Sequence, residues 1–127
     1  MNYDCALDSI NIKIDENKKA KLIEYASLVM EYNKNINITG AKTIENFFYD
    51  HIADSLLASE IFSDYDNIID VGTGAGLPSI PLAIIYDHKK FTLCESKNKK
   101  ADFLRLAKDK LNLNNVEVKC INVNRKL

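Results

Sequence analysis

No stretch of this 127-residue chain approaches the roughly 18 consecutive apolar residues of a membrane span, and Met1 to Asp8 is polar where a secretory leader would carry its apolar stretch. The expectation is therefore a cytoplasmic protein with no membrane partner. Cysteine is scarce. Cys5, Cys94 and Cys120 are odd in number, far apart and in no CxxC pair, so neither a disulfide framework nor a zinc site is indicated, and reduced thiols are expected. Nothing in the composition points to disorder, and 46% hydrophobic residues suffice for one modest core.

Charge of one sign is missing from each end. Met1 to His88 holds 6 Lys and Arg against 14 Asp and Glu, whereas Lys89 to Leu127 holds 11 against 4. The net charge of −1 is thus the balance of −8 and +7. A basic half suits a surface that meets an anionic polymer, and a lysine-rich solvated helix face produces the same count.

The apolar pattern gives the elements. Asp15 is placed to cap a helix in which Leu22, Ile23, Ala26, Val29 and Met30 recur at helical spacing to about Tyr32, before Asn33 to Thr39 breaks it. Thr43 caps a second helix, with Ile44, Phe47, Phe48, Ile52, Leu56 and Leu57 on one face, ending near Glu60. Ile68, Ile69 and Val71 then form a short run that reads as a buried strand. Pro78 suits the first turn of a helix to about Tyr86, and Phe91 to Cys94 is a second buried strand. Ser96 is placed to cap a lysine-rich helix to about Asn112, and Val116 to Ile121 is a third strand. Strand, helix, strand, helix, strand predicts an α/β fold with a parallel sheet and right-handed crossovers. Residues 1–62 form an N-terminal helical segment packing on the sheet. Residues 63–127 are expected to form the Rossmann-like sheet with its helices, the two making one compact unit.

Between the first strand and its helix runs Asp70-Val71-Gly72-Thr73-Gly74-Ala75-Gly76-Leu77-Pro78. Such a loop turns tightly and lets a ligand touch the backbone, at the strand ends where open α/β sheets bind ligands. The dinucleotide pattern G-x-G-x-x-G fails, because Gly76 comes one place early and Leu77 stands where the last glycine belongs. Asp70 at the head of the loop would repel a pyrophosphate, whereas the sulfonium and ammonium of S-adenosylmethionine (SAM) favour a carboxylate there. Glu95, at the end of the second strand, is placed to accept from both ribose hydroxyls of an adenosyl ligand. The alternative for both carboxylates is helix capping or a surface ion pair.

At this point the sequence resembles the RsmG (GidB) methyltransferases, which methylate N7 of a guanine in bacterial 16S ribosomal RNA. The resemblance runs through Tyr32-Asn33-Lys34, Asn37-Ile38-Thr39, His51-Ile52-Ala53-Asp54-Ser55 and the glycine loop with Leu77-Pro78. It continues through Phe91-Thr92-Leu93-Cys94-Glu95-Ser96, then Lys97, Lys100, Phe103 and Leu104, and finally Leu113, Asn115 and Val116. It implies a Rossmann-like SAM-dependent methyltransferase fold, here ending after the third parallel strand. By the same resemblance Gly72 and Leu77 contact SAM, with Gly74, Gly76 and Glu95 beside them, and Asp70 and Thr73 of the same loop complete the candidate cofactor contacts. The stretch matching the family's adenine contact is Asn122-Val123-Asn124-Arg125, where the family carries an acidic residue, and Val123 and Asn124 are its candidate contacts.

The implied partner is 16S rRNA or the small ribosomal subunit, with Lys97, Lys99 and Lys100 as candidate phosphate contacts, joined more weakly by Arg105, Lys108 and Lys110. Guanine N7 already carries a lone pair, so catalysis would be mainly positioning, and no catalytic residue is singled out. His51 and Asp54, three apart, are too few for a metal site; the resemblance implies that they support the wall between the N-terminal helices and the glycine loop, with direct substrate contact as the alternative. Cys94 and Cys120 read as buried packing residues. Two further readings stand beside the enzyme: a SAM-binding half-domain without chemistry, and, against the glycine spacing, a dinucleotide oxidoreductase. With the first strand central in the complete fold, its edge would lie open here and invite self-association.

Overall fold

A computed structural model of the chain describes residues 3–8, 10 and 13–122. Helix α1 (Tyr3–Leu7) is followed by the long α2 (Glu16–Ile36), then by α3 (Ile44–Phe47), a π turn (Phe48–Ile52), α4 (Ala53–Leu57) and a 3-10 turn (Ser59–Phe62). Strand β1 (Asn67–Val71), α5 (Ser79–Ile85), β2 (Lys90–Cys94), α6 (Asn98–Lys110) and β3 (Val116–Lys119) complete it. The strands are parallel in the order β1-β2-β3, so an α/β fold with N-terminal helices, part of a Rossmann-like methyltransferase sheet, is what the sequence builds.

Capping sets several boundaries. The Asp15 side chain accepts from the Lys18 amide at 2.8 Å and opens α2, and Thr43 accepts from the Asn46 amide at 3.0 Å to open α3. Helix α2 outruns its expected end near Tyr32 because Asn33 remains helical; the turn is made by Asn37 in the left-handed region, while the Asn33 side chain accepts from the Thr39 amide at 2.8 Å. Ser96 does not cap α6. Lys97 holds that position without a side-chain bond.

The second predicted helix is continuous only in outline. In the π turn the Ala53 amide reaches back to the Phe48 carbonyl, adding a residue to one turn. That extra residue keeps Phe47, Phe48, Ile52 and Leu56 buried and leaves Leu57 54% exposed, against the single face expected of them.

Register explains the layering. Ile68, Phe91 and Val116 lie in one row across the sheet, and Asp70, Leu93 and Val118 in another. This face meets α5, whose seven residues are all buried, and α2 packs over α5 and α6. The other face carries Ile69 and Val71, 71% and 49% exposed. The expectation of a buried first strand is therefore corrected: among the described residues β1 has a neighbour on one side only and helices on one face only. Strand β3 stops at Lys119, and Cys120 is only partly buried, its thiol donating to Asn98 Oδ1 at 3.1 Å, so only Cys94 is the packing residue expected.

Two side chains fasten the end of the sheet remote from the glycine loop. Lys89, 3% exposed, donates to the carbonyls of Ser63 and Tyr65 at 3.0 and 2.6 Å and lies over the Tyr86 ring. The Asn115 amide is shared among the carbonyls of Ala83, Tyr86 and Lys89 at 3.0–3.1 Å, tying the end of α5 to the start of β3.

Candidate functional site

The glycine loop leaves β1 at the carboxyl end of the sheet, where the Gly72 amide extends the ladder to the Cys94 carbonyl at 2.8 Å. Gly72, Gly74 and Gly76 all have positive φ, at 71°, 62° and 98°. Their roles differ. A Cβ at Gly72 or Gly74 would meet nothing within 4 Å, whereas one at Gly76 would lie 2.5 Å from Ile80 Cδ1 and 3.1 Å from Leu104 Cδ2. The first two present bare backbone to open space; the third lets α5 and α6 close over the loop.

Glu95 is 5% exposed and spans two chain segments. One carboxylate oxygen accepts from the Gly74 amide at 3.1 Å and the other from the Lys97 amide at 2.9 Å. Two of its roughly four acceptor sites are thus used on backbone, leaving two for a ligand. Asp70 accepts from the Ser79 hydroxyl at 2.6 Å. Burial raises its pKa above the ordinary carboxylate value, and the Ser79 and Thr73 hydroxyls act the other way. Thr73 is near enough to favour the charged Asp70, yet its buried oxygen makes no hydrogen bond of acceptable geometry among the described residues.

One residue the sequence reading passed over stands behind this loop. Tyr25 of α2 is fully buried, and its hydroxyl donates to the Ala75 carbonyl at 2.6 Å. Burial, with Asp70 second, raises the phenol's pKa well above its ordinary value. Its position three residues after Leu22 was the available signal. The ring meets Phe47 edge-on at 5.6 Å, and Phe47 meets the half-buried His51 at 5.4 Å. His51 thus belongs to an aromatic wall reaching the loop through Phe47 and Tyr25; Asp54 is exposed and takes no part in it.

The structure brings Asp70, Gly72, Thr73, Gly74 and Glu95 together at one end of the sheet, with Leu77 packed partly against the core. Val123 and Asn124 lie outside the described residues. The residues present fit a SAM-like ligand: two carboxylates suit its cationic groups and ribose, and the bare faces of Gly72 and Gly74 leave it room. A cleft of about 580 Å³ opens elsewhere, between the start of α2 and the turn after α6, and holds none of these groups. Lys97 and Lys99 are exposed at the start of α6, and Lys100 is half-buried. Of the weaker candidates, Lys108 donates to the Val116 carbonyl and Arg105 pairs with Asp102 at 3.5 Å.

Residues 18–126 match the family described as GidB, rRNA small subunit methyltransferase G. The chain is 77% identical over 124 residues to the ribosomal RNA small subunit methyltransferase G of Brachyspira hyodysenteriae, covering 96% of this chain and 61% of that protein. The protein of the same name from Fusobacterium nucleatum is 44% identical over 113 residues, 88% of this chain and 49% of that one. One from Mycoplasma mycoides is 42% identical over 118 residues, 92% of this chain and 86% of the relative. The chain thus spans about half to three fifths of the length of the first two relatives and most of the third.

Proposed function

This chain belongs to the rRNA small subunit methyltransferase G family, and from that premise we propose that it binds SAM at the glycine loop as the cofactor half of an enzyme that methylates N7 of a guanine in 16S rRNA. The observation that carries the reading is the pairing of open backbone at Gly72 and Gly74 with the Glu95 carboxylate bonded to that same loop. In this reading Asp70, Gly72, Thr73, Gly74, Gly76, Leu77 and Glu95 build the cofactor site, with Val123 and Asn124 as further contacts. Gly76 acts from beneath, through packing.

SAM, when bound, supplies an activated methyl group: the bond from carbon to the guanine nitrogen forms as the bond to sulfur breaks and its electron pair returns to sulfur. The protein's part is to hold and orient. Asp70 favours the cationic end of the ligand, Glu95 takes ribose hydroxyls on its remaining acceptor sites, and the acceptor nitrogen is aligned rather than deprotonated. Lys97, Lys99 and Lys100 hold RNA phosphates beside the start of α6. The protein works in the cytoplasm, and residues 1–62 and 63–127 act as one unit.

A second reading is a SAM-binding half without chemistry. In it the edge of β1, unpaired on one side among the described residues, invites self-association. Sizing in solution tests that last point, and a strict monomer would count against it.

Calorimetric titration with SAM and its demethylated product, with NAD as control, tests the reading. Saturable SAM binding that is lost in Gly72→Asp is expected, followed by methyl transfer to 16S rRNA. A folded chain that ignores SAM would refute the cofactor site, and NAD binding in its place would revive the oxidoreductase.

A further inference from the structure

We propose that Tyr25 is a positioning residue for the cofactor loop, its hydroxyl fixing the Ala75–Gly76 peptide from α2 so that the N-terminal helices are part of the binding site. The inference rests on the cofactor reading above, and it concerns a residue fifty positions before the loop.

Because the Ala75–Gly76 unit is flat and stiff, fixing its oxygen and its nitrogen fixes its orientation. The oxygen accepts from Tyr25 at 2.6 Å, and the Gly76 amide at the other end donates to the Thr73 carbonyl at 3.0 Å. On one side of this unit the Gly74 amide is held by Glu95; on the other the Leu77 amide returns to Thr73 at 3.3 Å and the Gly76 carbonyl accepts from Ile80 at 2.7 Å. Apart from the Glu95 bond, which comes from the end of β2, these bonds lie within the strand–helix unit that carries the loop, so among the described residues only the Tyr25 bond ties this peptide to the N-terminal segment.

A loop with three positive-φ glycines has little intrinsic preference for one shape. The phenol removes that freedom on the inner side while leaving the outer faces of Gly72 and Gly74 open. The Tyr25 ring is itself held edge-on by Phe47 and is fully buried, so the hydroxyl does not swing away into water.

Tyr25→Phe removes only the hydroxyl. Tyr86→Phe is the matched control: that hydroxyl donates to the Ser59 carbonyl at 3.2 Å, and Tyr86 follows α5 at the end remote from the loop. Both variants should lose similar, small amounts of thermal stability. In Tyr25→Phe alone, amide exchange at Gly74 and Gly76 should speed up about tenfold without ligand, and SAM affinity should fall by about the same factor. Equal exchange at those amides in the two variants overturns the proposal whether or not SAM binds. Faster exchange in a chain that never binds SAM would uphold the positioning of the loop and refute the cofactor reading instead.

Discussion

Alanine at Gly76 and at Gly74 should act on different properties, and the separation can be worked from the space around each. At Gly76 the new Cβ would stand 2.5 and 2.8 Å from the Ile80 side chain and 3.1 Å from Leu104, both fully buried and unable to swing into solvent. Overpacking of this kind costs about 1–3 kcal/mol. The positive φ adds roughly 1–2 kcal/mol, offset by about 0.4–1 kcal/mol of lost unfolded-state freedom. The sum is about 2–4 kcal/mol, which lowers the urea midpoint by about 1 M or more for a chain of this size. At Gly74 only the backbone cost remains, about 1 kcal/mol net, while the added methyl enters the space assigned to the ligand. Urea unfolding followed by circular dichroism, with SAM titration of each variant, reads both effects. Gly76→Ala should be the less stable and Gly74→Ala the weaker binder relative to its stability. Equal midpoints for the two would refute the division of the loop into a ligand side and a packing side.

Asp70→Asn should stabilise the chain at neutral pH while weakening SAM binding. The folded-state pKa of Asp70 is raised by burial, so its ionised form costs stability above that raised value; the cost fades as pH falls and is gone below the ordinary carboxylate range. The advantage of the Asn variant in thermal melts should therefore shrink toward acid pH, and a gap that widens instead would reverse the sign. Lys89→Met strips the carbonyls of Ser63 and Tyr65 of their donor, and a loss of about 1–3 kcal/mol in urea unfolding is expected; an unchanged midpoint would mean that water replaces the ammonium. Asp15→Ala removes the cap of α2 and should cost about 1 kcal/mol with no change in SAM affinity.

The strand–helix alternation and the glycine loop were legible because each rests on local pattern: short apolar runs, a Pro at a helix start, side-chain oxygens at Asp15 and Thr43. The two carboxylates were legible for the same reason, since each ends a strand. What escaped depends on partners distant in sequence. Tyr25 looks like one more apolar residue in an amphipathic helix until Ala75 is set beside it. Lys89 reads as a surface lysine until two carbonyls and a ring enclose it. Exposure of Ile69 and Val71 follows from what stands next to β1 rather than from β1, whose sequence carries the signature of a buried strand. The π turn is invisible to a periodicity of 3.6, because one added residue shifts the face without interrupting the apolar run.

That turn makes chain length itself a coded quantity. The wide turn absorbs one extra residue, so α3 and α4 keep the facing that ordinary winding would give a chain one residue shorter, and forcing all of Phe48–Ile52 into ordinary winding would rotate α3 by about 100° against α4. Phe47 would then leave Tyr25 and His51 even though every side chain in the aromatic wall remained in the sequence. Substitutions across these five positions would be judged one by one, by size and polarity, whereas loss of the wide turn with all five residues kept would be felt at the glycine loop at once.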